Sequence, residues 1–366
     1  MSRGLGDVYK RQLLASVRVA ERARIEALPP RGYQPIDGPA QYNQLVQEFV
    51  FGATSPVVGE GRVVTIQTLG GTGALKVGAD FLRRHLPASV VYLSDPSWEN
   101  HRALFETAGF KVDTYPYYDA ATHGVNFDGM KGRLASLEPG SVVVLHACCH
   151  NPTGADLTQS QWQEVVDIVQ ARGLLPFLDM AYQGFAEGIE QDAAAPRLFA
   201  SCGLSFLLAI SFSKSFSLYG ERVGALSLVT GSEREAVCVL SQIKRLVRTN
   251  YSSPPTHGGA VVTSILSNPE LRQTWESDLA SMRDRIYRMR LDLLEGLRAR
   301  GLLVDFSFLL RQRGMFSYTG LTAAQVDRLQ TEHGIYAVST GRICVAALNS
   351  RNVDYVAEAL ATVLKN

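Results

Sequence analysis

The chain has 366 residues, 46% of them hydrophobic and 19% charged, and its 36 basic and 35 acidic side chains leave a formal net charge of +1. This composition is typical of a globular protein with a sizeable core and excludes a disordered chain. The mixed charges form no basic stripe for nucleic acid or an anionic membrane, and no apolar run approaches the roughly 18 residues that span a bilayer.

Five cysteines are present, and they lack the spacing of a metal site. Their small, odd number fits a reducing compartment, so we expect a cytoplasmic protein without a metal centre. The first residues, "MSRGLGDVYKRQ", contain no apolar segment of the kind that a signal peptide needs.

Short apolar runs alternate with helix-like stretches through most of the chain. The runs lie at 63–69, 90–95, 141–147, 174–182, 206–213 and 223–230, and the helical patterns at 72–86, 98–109 and 158–173. Strands buried on both faces read as continuous apolar runs, and their alternation with helices predicts a mainly parallel α/β sheet.

The pattern of apolar and polar residues changes towards the C-terminus. A long helical pattern occupies 268–301, and short strands and two helical patterns follow Gly301. We therefore expect a second, smaller α+β domain, joined to the first through the long helix.

In open α/β sheets, ligands bind beyond the carboxyl ends of the strands. The first strand is followed by Gly70, Gly71, Thr72 and Gly73, which open a helix. Free N–H groups at a helix N-terminus suit a phosphate. Alone, this pattern is equally compatible with a plain strand–turn–helix junction, and it matches neither the dinucleotide fingerprint nor a Walker loop.

Two further strand ends carry polar side chains. Asn151 precedes Pro152 in a turn, where its amide can donate into a site or simply initiate the turn. His146 and His150 flank this strand end, and we expect both to be structural. Asp179 closes the next apolar strand, with Tyr182 three residues later; a carboxylate there needs a cationic partner or a role as a helix cap.

The stretch "SFSKSFSLYGERVG" follows another apolar run and contains Ser211, Lys214 and Arg222. A lone lysine at a strand end is either a surface residue or an amine that forms a Schiff base with a carbonyl. Ser211 and Arg222 suit a phosphate. Trp98 opens a helix after "DPS", where its ring can stack on a ligand or pack in the core.

Taken together, these groups match one ligand that has a phosphate, a protonated aromatic nitrogen, a phenolic oxygen and an aldehyde. Pyridoxal 5′-phosphate has all four, and an aspartate at its ring nitrogen with a Schiff-base lysine is its expected protein signature. We therefore predict that Lys214 forms a Schiff base with this cofactor and that Asp179 faces its ring nitrogen.

The motifs "QTLGGTGAL", "DPSWENH", "HNPTGAD", "LDMAYQGF", "SFSKSFSLYGERVG", "NYSSPP" and "TGRICVA" occur in this order. In order and spacing they resemble the class I, fold-type I aminotransferases of the aspartate/aromatic branch, from about Leu13 to the C-terminus. "CCHNPTGADLT" and "RGMFSYTGLTAAQVDRL" look most like the bacterial aromatic-amino-acid (tyrosine) enzymes. The resemblance implies a mainly parallel, seven-stranded sheet in a three-layer α/β/α large domain that binds pyridoxal phosphate.

The resemblance also implies roles for single residues. Lys214, Asp179 and Tyr182 would be catalytic: the lysine as Schiff-base former and acid/base, the aspartate at the pyridine nitrogen, and the tyrosine at the phenolic oxygen. The other cofactor-binding residues would be Gly71, Thr72, Trp98, Asn151, Ser211, Arg222 and, from the neighbouring subunit, Tyr33. His101 would lie behind Asp179.

Substrate contacts follow from the same resemblance. Arg342 would bind the substrate α-carboxylate, with Trp98 and Asn151 beside it. Arg248 would reach from the other subunit towards the side-chain carboxylate of aspartate or glutamate and swing aside for aromatic side chains. The resemblance therefore implies a homodimer with shared active sites, amino acid and 2-oxo acid substrates, and neither nucleic-acid nor membrane partners.

Two departures from the family pattern concern the start of the chain. Residues 1–12 match nothing expected there, and we interpret them as a non-native leader. By the same resemblance, we expect the usual N-terminal portion of the small domain to be missing. We expect a large domain over 13–281 and a small domain over 282–366.

The predicted function is a pyridoxal-phosphate aminotransferase that moves the amino group of tyrosine or phenylalanine, and to some extent aspartate, to 2-oxoglutarate by a ping-pong mechanism. Two alternatives stay open: an aspartate aminotransferase, and a truncated homologue that binds cofactor but is catalytically impaired. A nucleotide-binding protein that uses "GGTG" is disfavoured, since the sequence supplies no ribose or magnesium partner.

Overall fold

The computed structural model describes residues 3–4, 13–30, 32–302 and 304–365. The predicted leader, residues 1–12, lies outside this part of the chain except for the backbone of Arg3–Gly4. None of the helices in the described ranges is long and apolar enough to cross a membrane.

Thirteen strands are present in the described ranges. They are β1 (Arg3–Gly4), β2 (Val63–Leu69), β3 (Val90–Asp95), β4 (Lys111–Pro116), β5 (Tyr118–Asp119), β6 (Gly124–Val125), β7 (Val142–His146), β8 (Leu175–Met180), β9 (Phe206–Ser211), β10 (Val223–Val229), β11 (Phe316–Tyr318), β12 (Ile335–Tyr336) and β13 (Arg342–Cys344).

The same ranges contain fourteen α-helices. They are α1 (Ala15–Ala27), α2 (Ala40–Phe51), α3 (Pro56–Gly59), α4 (Gly70–His85), α5 (Glu99–Thr107), α6 (Phe127–Ala135), α7 (Gln159–Arg172), α8 (Ile189–Asp192), α9 (Ala194–Ser201), α10 (Glu233–Asn250), α11 (Thr256–Ser267), α12 (Pro269–Ala299), α13 (Ala323–His333) and α14 (Val353–Lys365).

The central sheet has seven strands in the order β2-β10-β9-β8-β7-β3-β4. Only β10 runs antiparallel to its neighbours, so the other six strands end at one edge and β10 begins there. Hydrophobic residues of α4, α5 and α10 cover one face, and those of α2, α6, α7, α9, α11 and α12 cover the other. The predicted three-layer α/β/α fold with a mainly parallel seven-stranded sheet is therefore confirmed.

Local signals explain why the helices begin and end where they do. Thr158 and Gln161 form a capping box at the start of α7, and Gly173 ends that helix in the left-handed conformation. Asn268 caps α12 by accepting from two backbone N–H groups. Because α12 runs without a break across 281–282, the predicted division between two domains stays a prediction.

The start of α4 lies directly against β10, and Gly224 allows this approach. A Cβ added at Gly224 would lie 2.5 Å from the carbonyl oxygen of Ile210 and 2.6 Å from the carbonyl carbon of Gly70. Both are backbone atoms, so relief requires movement of the strand or of the helix terminus. The glycine therefore fixes where the N-terminus of α4 sits relative to the sheet.

Replacement of Gly224 by alanine is expected to lower the free energy of unfolding by about 1–3 kcal/mol, because overpacking forces backbone shifts. Urea denaturation followed by circular dichroism measures this change. Gly220→Ala is the matched control: a Cβ there meets no atom within 4 Å, and we expect a change within about 0.5 kcal/mol. Equal stability of the two variants would contradict the close-approach argument.

Candidate active site

A cavity of about 250 Å³ lies beyond the carboxyl edge of the central sheet, near the lower end of the roughly 300–1,000 Å³ typical of small-molecule sites. It is lined by ten of the predicted site residues: Gly71, Thr72, Trp98, Asn151, Asp179, Tyr182, Ser211, Lys214, Arg222 and Arg342. The strand pairing explains why these residues lie together: the ends of different strands meet at this one edge of the sheet, so the residues near those ends become neighbours.

One end of the cavity is suited to a phosphate. Gly71 and Thr72 belong to the first turn of α4, whose N–H groups have no intrahelical partners. Arg222 precedes β10 with a backbone φ of +51°, a left-handed conformation that is costly for an arginine. Its Nη1 donates to the Ser213 hydroxyl at 3.3 Å. A Cβ at Gly70 would lie 2.6 Å from Arg222 Nη2 and would displace this guanidinium, and the φ of +68° at Gly70 independently favours glycine.

Asp179 provides a buried negative charge in the middle of the cavity wall. Its Oδ2 lies 2.9 Å from Nε2 of His101, which in turn bonds the Ser97 hydroxyl through Nδ1. Burial alone would raise the pKa of the Asp179 carboxyl, but the hydrogen bond and charge of His101 and the charge of Lys214 outweigh it, so the pKa lies below its usual value. The group is therefore an anion at neutral pH.

Two further histidines, His146 at the end of β7 and His150 beyond it, have ring centroids 4.4 Å apart and differ in their hydrogen bonds. His150 bonds Ser94 through Nε2 and Thr153 through Nδ1, as expected of a structural residue. His146 lines the cavity, and its buried Nδ1 has no partner among the described residues. Burial, together with the charge of His101, lowers the pKa of His146 to about 3, so the ring is neutral. The purely structural role that we expected for His146 does not explain why its Nδ1 has no hydrogen-bond partner among the described residues.

Lys214 and Tyr182 face each other across the cavity. The lysine Nζ lies 4.9 Å from the centroid of the tyrosine ring. Burial and the nearby charge of Asp179 raise the pKa of the Tyr182 phenol well above its usual value, so it is a neutral donor. An amine, a phenol and a carboxylate thus converge on the same space, as a site for proton transfer requires.

Arg342 is a second arginine in the lining of the cavity. Its Nη1 donates to the Asn151 side-chain oxygen at 3.1 Å, and its guanidinium carbon lies 4.6 Å from the centroid of the Phe316 ring. Contact with the ring face and a hydrogen bond to the amide hold the planar guanidinium in one orientation. Such a group is suited to a bidentate pair with a carboxylate.

Two predicted site residues are not brought to this cavity within the described chain. Tyr33 is 97% exposed. Arg248 lies at the exposed end of α10, where its Nη1 donates to the Ser252 hydroxyl at 2.7 Å. Both were predicted to act in the site of a neighbouring subunit, so their roles stay predictions.

Sequence reasoning missed several lining residues: Leu75, His146, Ala181, Ser213, Tyr219, Met315 and Phe316. Ser213 and Tyr219 fall within the stretch around Lys214, so the motif itself could have suggested them. Met315 and Phe316 give no chemical signal, because an apolar pair in a short strand is typical of core packing.

The donor set of this cavity fits pyridoxal phosphate. The helix terminus, Ser211 and Arg222 suit its phosphate; the anionic Asp179 suits a protonated ring nitrogen; and Lys214 suits its aldehyde. His146 Nδ1 is an unpartnered polar atom at the cavity wall. The phosphate, the ring nitrogen and the aldehyde of the ligand therefore each have a matching group in the cavity wall.

Comparison with known proteins agrees with this chemistry. The family described as aminotransferase class I and II matches residues 6–360. Aspartate aminotransferase of Pseudomonas aeruginosa is 62% identical over 99% of this chain and 92% of its own length. Aromatic-amino-acid aminotransferase of Escherichia coli is 53% identical over 96% of this chain and 89% of its own.

Solved structures are equally similar. The aromatic-amino-acid aminotransferase from Burkholderia pseudomallei, covalently bound to pyridoxal phosphate, superposes with a TM-score of 0.97 at 63% identity, covering 99% of this chain and 92% of that one. An aromatic amino acid aminotransferase from Burkholderia cenocepacia gives 0.94 at 53% identity, covering 97% and 88%. The chain belongs to the class I and II aminotransferase family.

Proposed function

We propose that this protein transfers the amino group of an aromatic L-amino acid, and to some extent of aspartate, to 2-oxoglutarate by a ping-pong mechanism. Its membership of the family makes it a transaminase dependent on pyridoxal phosphate. The observation that carries the proposal is that Lys214, Asp179 and the guanidinium of Arg342 line one cavity.

The side chains divide the work between holding the reactants and moving protons. Gly71, Thr72, Ser211 and Arg222 would hold the cofactor phosphate. When bound, the cofactor supplies an aldehyde for the amine and a ring that withdraws electrons from the substrate α-carbon.

Proton transfer falls to Lys214. Its amine would be the base that removes the α-proton of the substrate and the acid that returns it. Asp179 is ionised because its pKa is lowered, and it would hold a proton on the ring nitrogen. Tyr182 and Asn151 would donate to the phenolic oxygen, and Trp98 would pack against the ring.

Apolar residues support an aromatic side chain as substrate. Leu75, Met315 and Phe316 line the cavity beside Trp98, and apolar walls favour a phenyl or phenol group over a second carboxylate.

Aspartate aminotransferase is the second candidate. The P. aeruginosa relative at 62% identity carries that name. An exposed Arg248 supports this reading as well, because a partner subunit could receive it near the substrate side chain.

A homodimer with shared sites is part of the proposal. Tyr33 is 97% exposed, and Ile25 and Leu28, which precede it in the sequence, are 66% and 78% exposed. Apolar side chains exposed together suit a subunit interface. A cytoplasmic location is likewise proposed, supported by five cysteines that are all free thiols.

An absorbance titration tests the proposed function. Purified protein is loaded with pyridoxal phosphate and then mixed separately with L-tyrosine and L-aspartate. A Schiff-base band that converts to the pyridoxamine form, faster with tyrosine, is the expected result. Faster conversion with aspartate would favour the second candidate. A band that responds to neither donor would indicate the impaired homologue.

Replacement of Arg248 by leucine is expected to lower kcat/KM for aspartate by about 100-fold, because removal of one partner of a buried charge pair costs roughly 2–5 kcal/mol. The value for tyrosine should change by less than about threefold, since its side chain has no carboxylate to bind. Steady-state kinetics with both donors measure the two changes in kcat/KM.

Arg245→Leu is the matched control for Arg248→Leu. Arg245 is another exposed arginine, three residues earlier on α10, and its loss should affect neither donor. Equal losses with aspartate and tyrosine would contradict the role proposed for Arg248.

A further inference from the structure

Arg290 is a buried cation in the middle of α12, and it is only 2% exposed. Its Nη1 donates to the Leu309 carbonyl at 3.1 Å and to the Ser317 hydroxyl, and its Nη2 donates to the carbonyls of Gly314 and Phe316 at 3.0 and 2.7 Å. All four bonds reach one segment, residues 309–317. None goes to a carboxylate of the described chain.

This arrangement is costly for stability alone. Arginine is almost never fully buried without a paired acid, and an apolar side chain of similar volume commonly stabilises such a position more. Burial lowers the pKa of Arg290 to about 10, so the group still carries its charge at neutral pH. Instead, the rigid, planar guanidinium of Arg290 fixes the position of residues 309–317, because it binds three of their carbonyl groups and one hydroxyl group.

The segment that Arg290 holds forms part of the active-site wall. Met315 and Phe316 line the cavity, and the Phe316 ring lies under the guanidinium of Arg342. Strand β11 also pairs with β13, so that Tyr318 is opposite Arg342. Movement of this strand would therefore move the ring and the arginine together.

The same segment, residues 309–317, packs tightly against the loop that carries Asn151. Gly314 has a φ of +76°, and a Cβ there would lie 2.6 Å from Cys149 Cβ; a Cβ on Gly154 would lie 2.9 Å from the Phe316 carbonyl oxygen. The Arg313 N–H donates to the Gly154 carbonyl at 2.7 Å. Asn151 is the residue that bonds Arg342, so both supports of the guanidinium depend on the position of residues 309–317.

We propose that Arg290 is a positioning residue that holds Phe316 and the Asn151 loop so that Arg342 is preset to receive the substrate carboxylate. It touches neither cofactor nor substrate and acts through the segment 309–317. The proposal rests on the proposed function, since it assigns the carboxylate of an amino acid to Arg342.

The test uses Arg290→Met and Arg290→Lys in the cofactor-loaded protein. The probe is 3-phenylpropanoate, which has one carboxylate and no amino group, and its dissociation constant is measured by isothermal titration calorimetry. Binding should weaken about tenfold in both variants, because small displacements of a clamping group carry penalties of this size. A lysine cannot reproduce the planar set of hydrogen bonds that the guanidinium makes, so Arg290→Lys should not restore binding.

Kinetics supply a second readout that general loosening would not produce. The KM values for tyrosine and aspartate should rise by the same factor, since both donors share the α-carboxylate, while kcat stays within about threefold. Cofactor affinity and the Schiff-base band should be unchanged. Arg172→Met is the matched control: Arg172 also binds a backbone carbonyl, that of Leu137, but lies in α7 away from the cavity.

An unchanged dissociation constant in Arg290→Met, or an equal change in Arg172→Met, would overturn the proposal. If Arg290→Met does not fold, Phe316→Leu decides: it keeps an apolar side chain but removes the ring under Arg342, and we expect about fivefold weaker binding of 3-phenylpropanoate. Unchanged binding there overturns the proposal as well. Absence of transamination in the wild-type protein would instead overturn the proposed function. The calorimetric test of Arg290 would still stand, because it measures binding and not turnover.

Discussion

Substitution of Lys214 by alanine is expected to lower kcat/KM for every amino donor by about 10⁴-fold or more. The amine has two functions in the proposed reaction, as the group that binds the cofactor aldehyde and as the acid/base, and acid–base catalysis alone contributes roughly 10²–10⁴-fold. Lys214 faces Tyr182 at the cavity wall, with its Nζ 4.9 Å from the ring centroid. Steady-state kinetics with tyrosine measure the loss.

Chemical labelling makes this prediction specific to one lysine. Borohydride reduction of the cofactor-loaded wild-type protein should attach the pyridoxyl group to the peptide that contains Lys214. Lys214→Arg keeps the positive charge but cannot form the linkage, so it should be as inactive as Lys214→Ala. Lys76→Ala is the control, because Lys76 pairs with Asp80 on α4 outside the cavity. A label on any other lysine would contradict the assignment.

The positions of the strands along the chain and the residues at their ends could be predicted because each signal is local. The apolar runs at 90–95 and 206–213 correspond to β3 and β9 within two residues, since strands buried on both faces need continuous apolar sequence. Asp179 and Lys214 were predictable because a charged group at such a strand end needs a partner. The structure then brings both to one cavity.

The parts that sequence reasoning missed depend on contacts between distant segments. Arg290 lies on the same face of α12 as Ile286 and Leu294, but an arginine is rarely buried, so its residue type predicts a surface position like that of its exposed neighbour Arg288. Only packing against residues 309–317 makes it a buried cation. Likewise, Phe316 gives the signal of an ordinary core residue until Arg342 is placed over its ring.

Asp179 carries the second large prediction. Asp179→Asn keeps the size of the side chain and a partner for His101 but removes the negative charge, so the cofactor ring nitrogen would lose the group that keeps it protonated. We expect the rate of the half-reaction with tyrosine to fall by about 10²–10³-fold, the usual cost of removing one preorganised electrostatic group. Stopped-flow absorbance of the cofactor-loaded variant measures this rate.

The sign of the charge effect follows from the pKa of this carboxyl. Burial would raise it, but the hydrogen bond and charge of His101 lower it below the usual value, so the wild-type group stays ionised throughout the neutral range and loses its charge only as the pH falls through that lowered pKa. Asp179→Glu retains the charge and should recover part of the rate. Asp37→Asn, which removes a carboxylate paired with Lys244 outside the cavity, should leave the rate unchanged. A rate for Asp179→Asn within about threefold of wild type would mean that the ring nitrogen needs no anion, and the Asp179 carboxylate would then serve only to orient His101.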